Sequence, residues 1–168
     1  MEYWDAYTKD GTLVEDVVLA RGCPIADGLY HMVCETLVLH RDGSILCMLR
    51  SRQKANYGGC YEASAGGSAL RGETAVECIA RELREETGLH CTRFTEVARN
   101  RYEDGHSLFF SFVCEVDCAK DAVQLQPGET DGYVWLSREE FAALLPTEKL
   151  VPTQKKRYSA YYRTLLKL

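Results

Sequence analysis

The segment GGSALRGETAVECIARELREETGL, Gly66 to Leu89, constrains this chain more than any other, because it joins clear helix boundaries to an excess of acid on one helical flank. At about 100° per residue, Ala75, Val76, Ile79, Ala80 and Leu83 fall on one arc and predict an amphipathic helix laid on a core. Thr74, with Glu77 three residues on, reads as a capping box, and Gly88 stands where a left-handed residue ends a helix. The same rotation puts Glu77, Arg81 and Arg84 opposite the apolar arc, in water. Glu82, Glu85 and Glu86, spaced i, i+3, i+4, gather instead beside the apolar stripe, where each like-charge pair costs a few tenths of a kcal/mol. A hard divalent cation relieves that repulsion, since clustered carboxylate oxygens are the ligands Mg²⁺ takes. A solvated charge run is the other reading that the spacing leaves open.

Gly67, five residues, Glu73, seven residues, then Arg81-Glu82-Leu83-Arg84-Glu85-Glu86-Thr87-Gly88-Leu89 resembles the complete signature of the Nudix family over residues 67–89, with a looser resemblance across most of the chain. The resemblance implies an α/β (α+β) fold, a mixed β-sheet flanked by helices in an α-β-α sandwich. It also implies cleavage of a pyrophosphate linkage in a nucleoside diphosphate derivative or nucleotide, using Mg²⁺ or Mn²⁺ and an attacking water. Carried over by position, Glu82, Glu85 and Glu86 are metal ligands, with Glu85 also counted among the catalytic groups. Glu73 and Arg81 form a pair that steadies the loop and the helix start, or that takes part in catalysis. The peptides of Gly66 and Gly67 come close to metal or phosphate, where a side chain would obstruct. Glu129, ahead of TDGYVW, resembles the glutamate that often precedes the last strand of the family as an extra ligand or general base. A solvated loop glutamate is its plain alternative.

Other candidates come from the residues alone. Arg50, Arg52 and Lys54 end a strand-like run facing the loop ANYGGCYE and are candidates for phosphate oxygens, with ordinary surface charge as the alternative. Tyr57, Tyr61, Tyr133 and Trp135 are candidates for stacking on a base, or else core. GLYHMVCETLVLH and ILCMLRSR, joined by RDGS, predict a hairpin, and CTRFTEVARNRY and SLFFSFVCEV repeat the pattern across EDGH. YVWL predicts a short strand, REEFAALL a helix beginning near Ser137, and QKKRYSAYYRTLLKL a closing helix whose tyrosines and leucines pack inward while its lysines and arginines stay wet. The 168 residues, 46% hydrophobic, suit one domain spanning 1–168. A formal charge of −5 argues against nucleic acid as a partner, and no apolar run reaches a membrane span or a signal peptide, which leads us to expect a cytoplasmic protein acting on a small phosphorylated molecule as a monomer or homodimer. Eight cysteines without a CxxC pair suggest reduced thiols, with Cys34, Cys47, Cys78 and Cys114 buried.

MEYWDAY, GLYHMV and YEASAGGSALRGET resemble the branch of the family that contains isopentenyl diphosphate isomerase, an enzyme that moves a proton at carbon through a cysteine and a histidine-rich metal site. Aligned through Gly72-Glu73-Thr74, the resemblance places Gly66 at the catalytic cysteine, Ser68 at one metal-binding histidine and Pro24 near another, leaving only His31 to match. His31 is then expected to be a strand histidine satisfied by its neighbours. A non-catalytic nucleotide-binding module is a third class, but such modules typically lose the carboxylates that this chain keeps.

Overall fold

The computed structural model describes residues 1–167. Its strands are β1 (Tyr3–Tyr7), β2 (Leu13–Ala20), β3 (His31–His40), β4 (Ile45–Arg50), β5 (Tyr61–Glu62), β6 (Ala65–Ser68), β7 (Phe94–Tyr102), β8 (Ser107–Val116) and β9 (Thr130–Leu136). Its helices are α1 (Ala75–Thr87), α2 (Arg138–Leu144), α3 (Pro152–Arg157) and α4 (Ser159–Leu166). β3 lies parallel to β8 along its whole length, while β7 with β8, β4 with β9 and β3 with β6 are antiparallel, so the sheet is mixed. β1 and β2 form a separate two-stranded sheet.

Alternation along β3 divides the core. Met32, Cys34 and Val38 face α1, where they pack with Cys78, Ile79 and Leu83. Leu37 faces the other way, onto Phe141 of α2 and Tyr158, Tyr162 and Leu165 of the closing helices. Helices therefore cover both faces of the sheet. Cys34, Cys47, Cys78 and Cys114 are buried, and all eight thiols are free.

Four expectations change. The turn between β3 and β4 forms at Asp42-Gly43, but the strands pair only at Leu39 and Ile45. Beyond that point β6 takes the edge of β3 at Val33–Thr36 and β9 takes β4, so the two strands splay instead of completing a hairpin. On α1, Val76 is 47% exposed and turns away from the core, whereas Cys78 is fully buried. The closing helix is broken at Tyr158 into α3 and α4. Finally, not every arginine of that tail stays wet. Arg157 reaches Glu35 in the middle of β3 with Nε to Oε1 at 2.6 Å and Nη2 to Oε2 at 2.5 Å, and its guanidinium lies over Phe109. Ser111 donates a further bond to the same carboxylate at 2.6 Å, and both ionic side chains are under 10% exposed.

A buried pair of this kind is costly to break from one side, because the remaining charge keeps its desolvation penalty. Arg157→Ala should therefore lower unfolding free energy by about 3–5 kcal/mol in urea melts. The double variant Arg157→Met, Glu35→Leu should lose less than Arg157→Ala alone; an equal or larger loss would mean that the pair itself is strongly net stabilising.

Candidate active site

Thr74 caps α1 by accepting the Glu77 N–H, Glu77 returns a bond to the Thr74 N–H, and Gly88 ends the helix at φ 69°. The helix start is thereby pinned beside β6, whose Gly66 and Gly67 pair with Glu35 and Cys34 of β3. Arg81 joins these parts. Its Nε donates to Glu73 Oε1 at 2.7 Å, Nη2 to Glu73 Oε2 at 2.9 Å and to the Ser68 carbonyl at 3.2 Å, and Nη1 to Glu82 Oε1 at 2.7 Å and Glu85 Oε2 at 3.2 Å. All five N–H groups of a guanidinium are then occupied. The Arg81 bonds hold the Glu73 carboxyl below the ordinary carboxylate range, and Glu73 with the other carboxylates pushes Arg81 up. Sequence periodicity put Arg81 in water with Glu77 and Arg84; its side chain is only 18% exposed, because β6 and the loop holding Glu73 fold over that flank.

Glu86 Oε2 accepts the Gly66 N–H at 3.0 Å. Burial raises the Glu86 carboxyl well above its ordinary range, and Glu62, Glu82 and Glu129 push the same way. Burial also raises Glu82, against the opposing pull of Arg81. A Cβ on Gly67 would lie 2.3 Å from Glu82 Oε1, so the missing side chain is what lets the carboxylate rest against the β6 backbone. A Cβ on Gly66 would lie 2.7 Å from the Cys34 carbonyl oxygen and 2.9 Å from Glu35 Cβ.

Gly66, Gly67, Arg81, Glu82, Glu85 and Glu86 share one cleft of about 450 Å³, with Glu129 and its salt-bridge partner Lys54 also lining it. Glu73 reaches this cleft through Arg81. Among the described residues no three acidic, histidine or cysteine side chains already converge as a metal cluster. Internal partners explain the spread, since Arg81 draws Glu82 and Glu85 while the Gly66 N–H draws Glu86. The donor set nonetheless suits a hard cation: carboxylate oxygens, two of the groups pushed toward protonation by burial and by neighbouring carboxylates, beside a backbone left bare by glycine.

Other candidates lie elsewhere. Arg50 is held by both oxygens of Glu62 at 2.9 and 2.7 Å, and the Arg52 backbone N–H is held by Asp131 at 2.9 Å; neither residue lines the cleft. Tyr57 is exposed, while Tyr61, Tyr133 and Trp135 pack on core clusters. His31 is in β3 as expected but only half satisfied. Its Nε2 meets Ser107 Oγ at 2.8 Å, Nδ1 has no partner, and burial lowers its pKa to about 4. Sequence reasoning missed Glu2, Trp4 and Arg21, which line the cleft from the β1–β2 sheet. Asp10-Gly11 between YWDAY and LVEDVVLA signals the hairpin, but nothing local says where it docks.

Two expectations follow from this geometry. Gly67→Ala should displace the Glu82 carboxylate and weaken Mg²⁺ binding, measured by titration calorimetry, while leaving the circular dichroism spectrum unchanged. The raised carboxyls give a signed pH effect: folded protein holds protons that unfolded protein releases above about pH 4.5, so this contribution is harmless below that pH and destabilises increasingly as pH rises. In chelator, Glu86→Gln should melt close to wild type near pH 4.5 and increasingly above it toward pH 8; a constant difference would contradict the assignment of Glu86 as the strained group.

A model of the NUDIX domain matches residues 30–161. An uncharacterized Nudix hydrolase of Listeria monocytogenes is 27% identical over 154 residues, covering 90% of this chain and 89% of that protein. An isopentenyl-diphosphate Delta-isomerase of Citrobacter koseri is 29% identical over 119 residues, 68% of this chain and 66% of the relative. Among solved structures, a protein of Deinococcus radiodurans superposes with a TM-score of 0.66 at 19% identity, over 88% of this chain and 91% of that one, a likeness of fold. With the domain match covering most of the chain and the glutamate-lined helix in place, this protein belongs to the Nudix family.

Proposed function

We propose that the protein is a metal-dependent hydrolase of a pyrophosphate linkage in a nucleoside diphosphate derivative or nucleotide. The observation that carries this reading is the saturated Arg81, which gathers Glu73, Glu82 and Glu85 beside Glu86 and the bare Gly66-Gly67 backbone. Glu82, Glu85 and Glu86 would hold Mg²⁺ or Mn²⁺, which supplies positive charge to the pyrophosphate oxygens. Glu73 and Arg81 position those carboxylates. Glu129, which lines the same cleft, would take a proton from the attacking water, and its partner Lys54 would turn to a phosphate oxygen. Water adds to phosphorus, the bridging P–O bond breaks, and the two phosphate products leave with a proton released to solvent. The acidic chain and the small cleft fit a small phosphorylated substrate in the cytoplasm.

The isomerase reading has relatives of that name in its favour, but the resemblance implies a proton-carrying cysteine where this chain has Gly66. The lack of space for a Cβ there supports hydrolysis instead.

Screening the purified protein with Mg²⁺ against nucleotide sugars, dinucleotides, coenzymes, nucleoside triphosphates and prenyl diphosphates tests both. We expect some nucleoside diphosphate derivative to yield a monophosphate, and Glu82→Gln or Glu86→Gln to cut its turnover by about 10²-fold or more. Glu85→Gln should cost less, and Glu129→Gln should lower turnover at saturating metal. Isopentenyl diphosphate in deuterated water should give neither allylic isomer nor deuterium incorporation; isomer above background would overturn the assignment.

A further inference from the structure

The domain match begins at residue 30, yet the cleft is not complete without the residues before it. β1 and β2 form their own sheet, fastened along the loop that leads into α1: the Arg71 N–H donates to the Tyr3 carbonyl at 2.9 Å and the Gly72 N–H to Asp5 Oδ2 at 2.7 Å. At the root of this hairpin Trp4 stacks on His31 with ring centroids 4.2 Å apart and donates its Nε1–H to Glu2 Oε1 at 2.7 Å. The other oxygen of Glu2 accepts from Arg21 Nη1 at 2.8 Å. The hairpin therefore presents Glu2, Trp4 and Arg21 to the cleft as one unit.

Three cations line that cleft: Arg21, Lys54 and Arg81. Arg81 has no donor left, and Lys54 is engaged with Glu129. Arg21 uses a single N–H, and its side chain is 69% exposed, so most of its donor fork points to solvent at the cleft mouth. A guanidinium fork is matched to the paired oxygens of a phosphate, and exchanging one carboxylate bond for a bidentate phosphate contact needs only side-chain rotation.

We infer that Arg21 grips a phosphate of the diphosphate substrate on the hairpin side of the cleft, and so makes the N-terminal hairpin a determinant of substrate affinity. This rests on the proposed hydrolysis of a pyrophosphate linkage but adds a residue and a segment outside the family's matched region. Glu2 has a distinct part in it. In the free protein it occupies one donor of the guanidinium, and so competes with the phosphate for it.

The test uses the full chain, Mg²⁺ and methylenediphosphonate, a diphosphate that cannot be hydrolysed at its bridge, titrated by calorimetry. Arg21→Ala should weaken binding about tenfold or more, Arg21→Lys should restore part of it, and the loss should shrink with added salt. Glu2→Gln, which keeps the oxygen that accepts from Trp4 but removes the competing charge, should bind as tightly as wild type or more tightly. A residue that merely staples the hairpin would give the same loss in both variants, and that result, or wild-type affinity in Arg21→Ala, would overturn the inference, as would a wild-type protein that does not bind the probe. On a turned-over substrate, Arg21→Ala should raise KM far more than it lowers kcat. The two readings fail separately: absence of turnover by the wild type defeats the hydrolase, whereas the titration scores Arg21 whether or not turnover is found.

Discussion

The site depends on one guanidinium. Arg81 bonds a carboxylate from the loop before α1, two carboxylates from its own helix and a carbonyl from β6, so it is the joint at which loop, helix and strand meet. Without it, Glu82 and Glu85 would repel each other on a flank from which water is partly excluded, and Glu73 would lose its main partner. With every donor occupied, Arg81 has no N–H left to offer a phosphate. In the proposed reading, holding the carboxylates and holding phosphate then fall to different cations.

Buried acid is the cost of this arrangement. Glu86 lies among Glu62, Glu82 and Glu129 with one backbone N–H as its partner, and the environment favours its protonated form. Such a group opposes folding at neutral pH and favours whatever cation can relieve it, which links affinity for metal to stability. The opposite face of the sheet solves its charge problem differently: Glu35 meets Arg157 and Ser111 in full, leaving no vacancy for a ligand. One carboxylate is thus completed by the protein and the other left incomplete.

What could be read from the sequence was mostly local. The caps at Thr74 and Ser137 form with their Glu partners because both ends of each interaction lie within one turn, and Gly88 takes the left-handed conformation its position requires. The acidic flank of α1 followed from 3.6-residue periodicity. Failures came where a distant segment decides the outcome. Arg81 is largely enclosed because β6 and the loop holding Glu73 fold onto it, Arg157 meets an acid 122 residues away, and β4 leaves β3 where β6 and β9 take the edges. Arg50 looked available for phosphate until Glu62 arrived from the far side of a loop. No pattern within one segment contains those meetings.

The crowding at Gly66 limits what can be substituted there. A side chain there would strike the Cys34 carbonyl and the Glu35 side chain of β3, the strand paired to β8 on its other edge. A side chain at 66, cysteine included, would need β6 and β3 to shift apart, since its Cβ would lie 2.7 Å from the Cys34 carbonyl oxygen and 2.9 Å from Glu35 Cβ. A relative that carries a side chain at this position therefore needs a different spacing between β6 and β3.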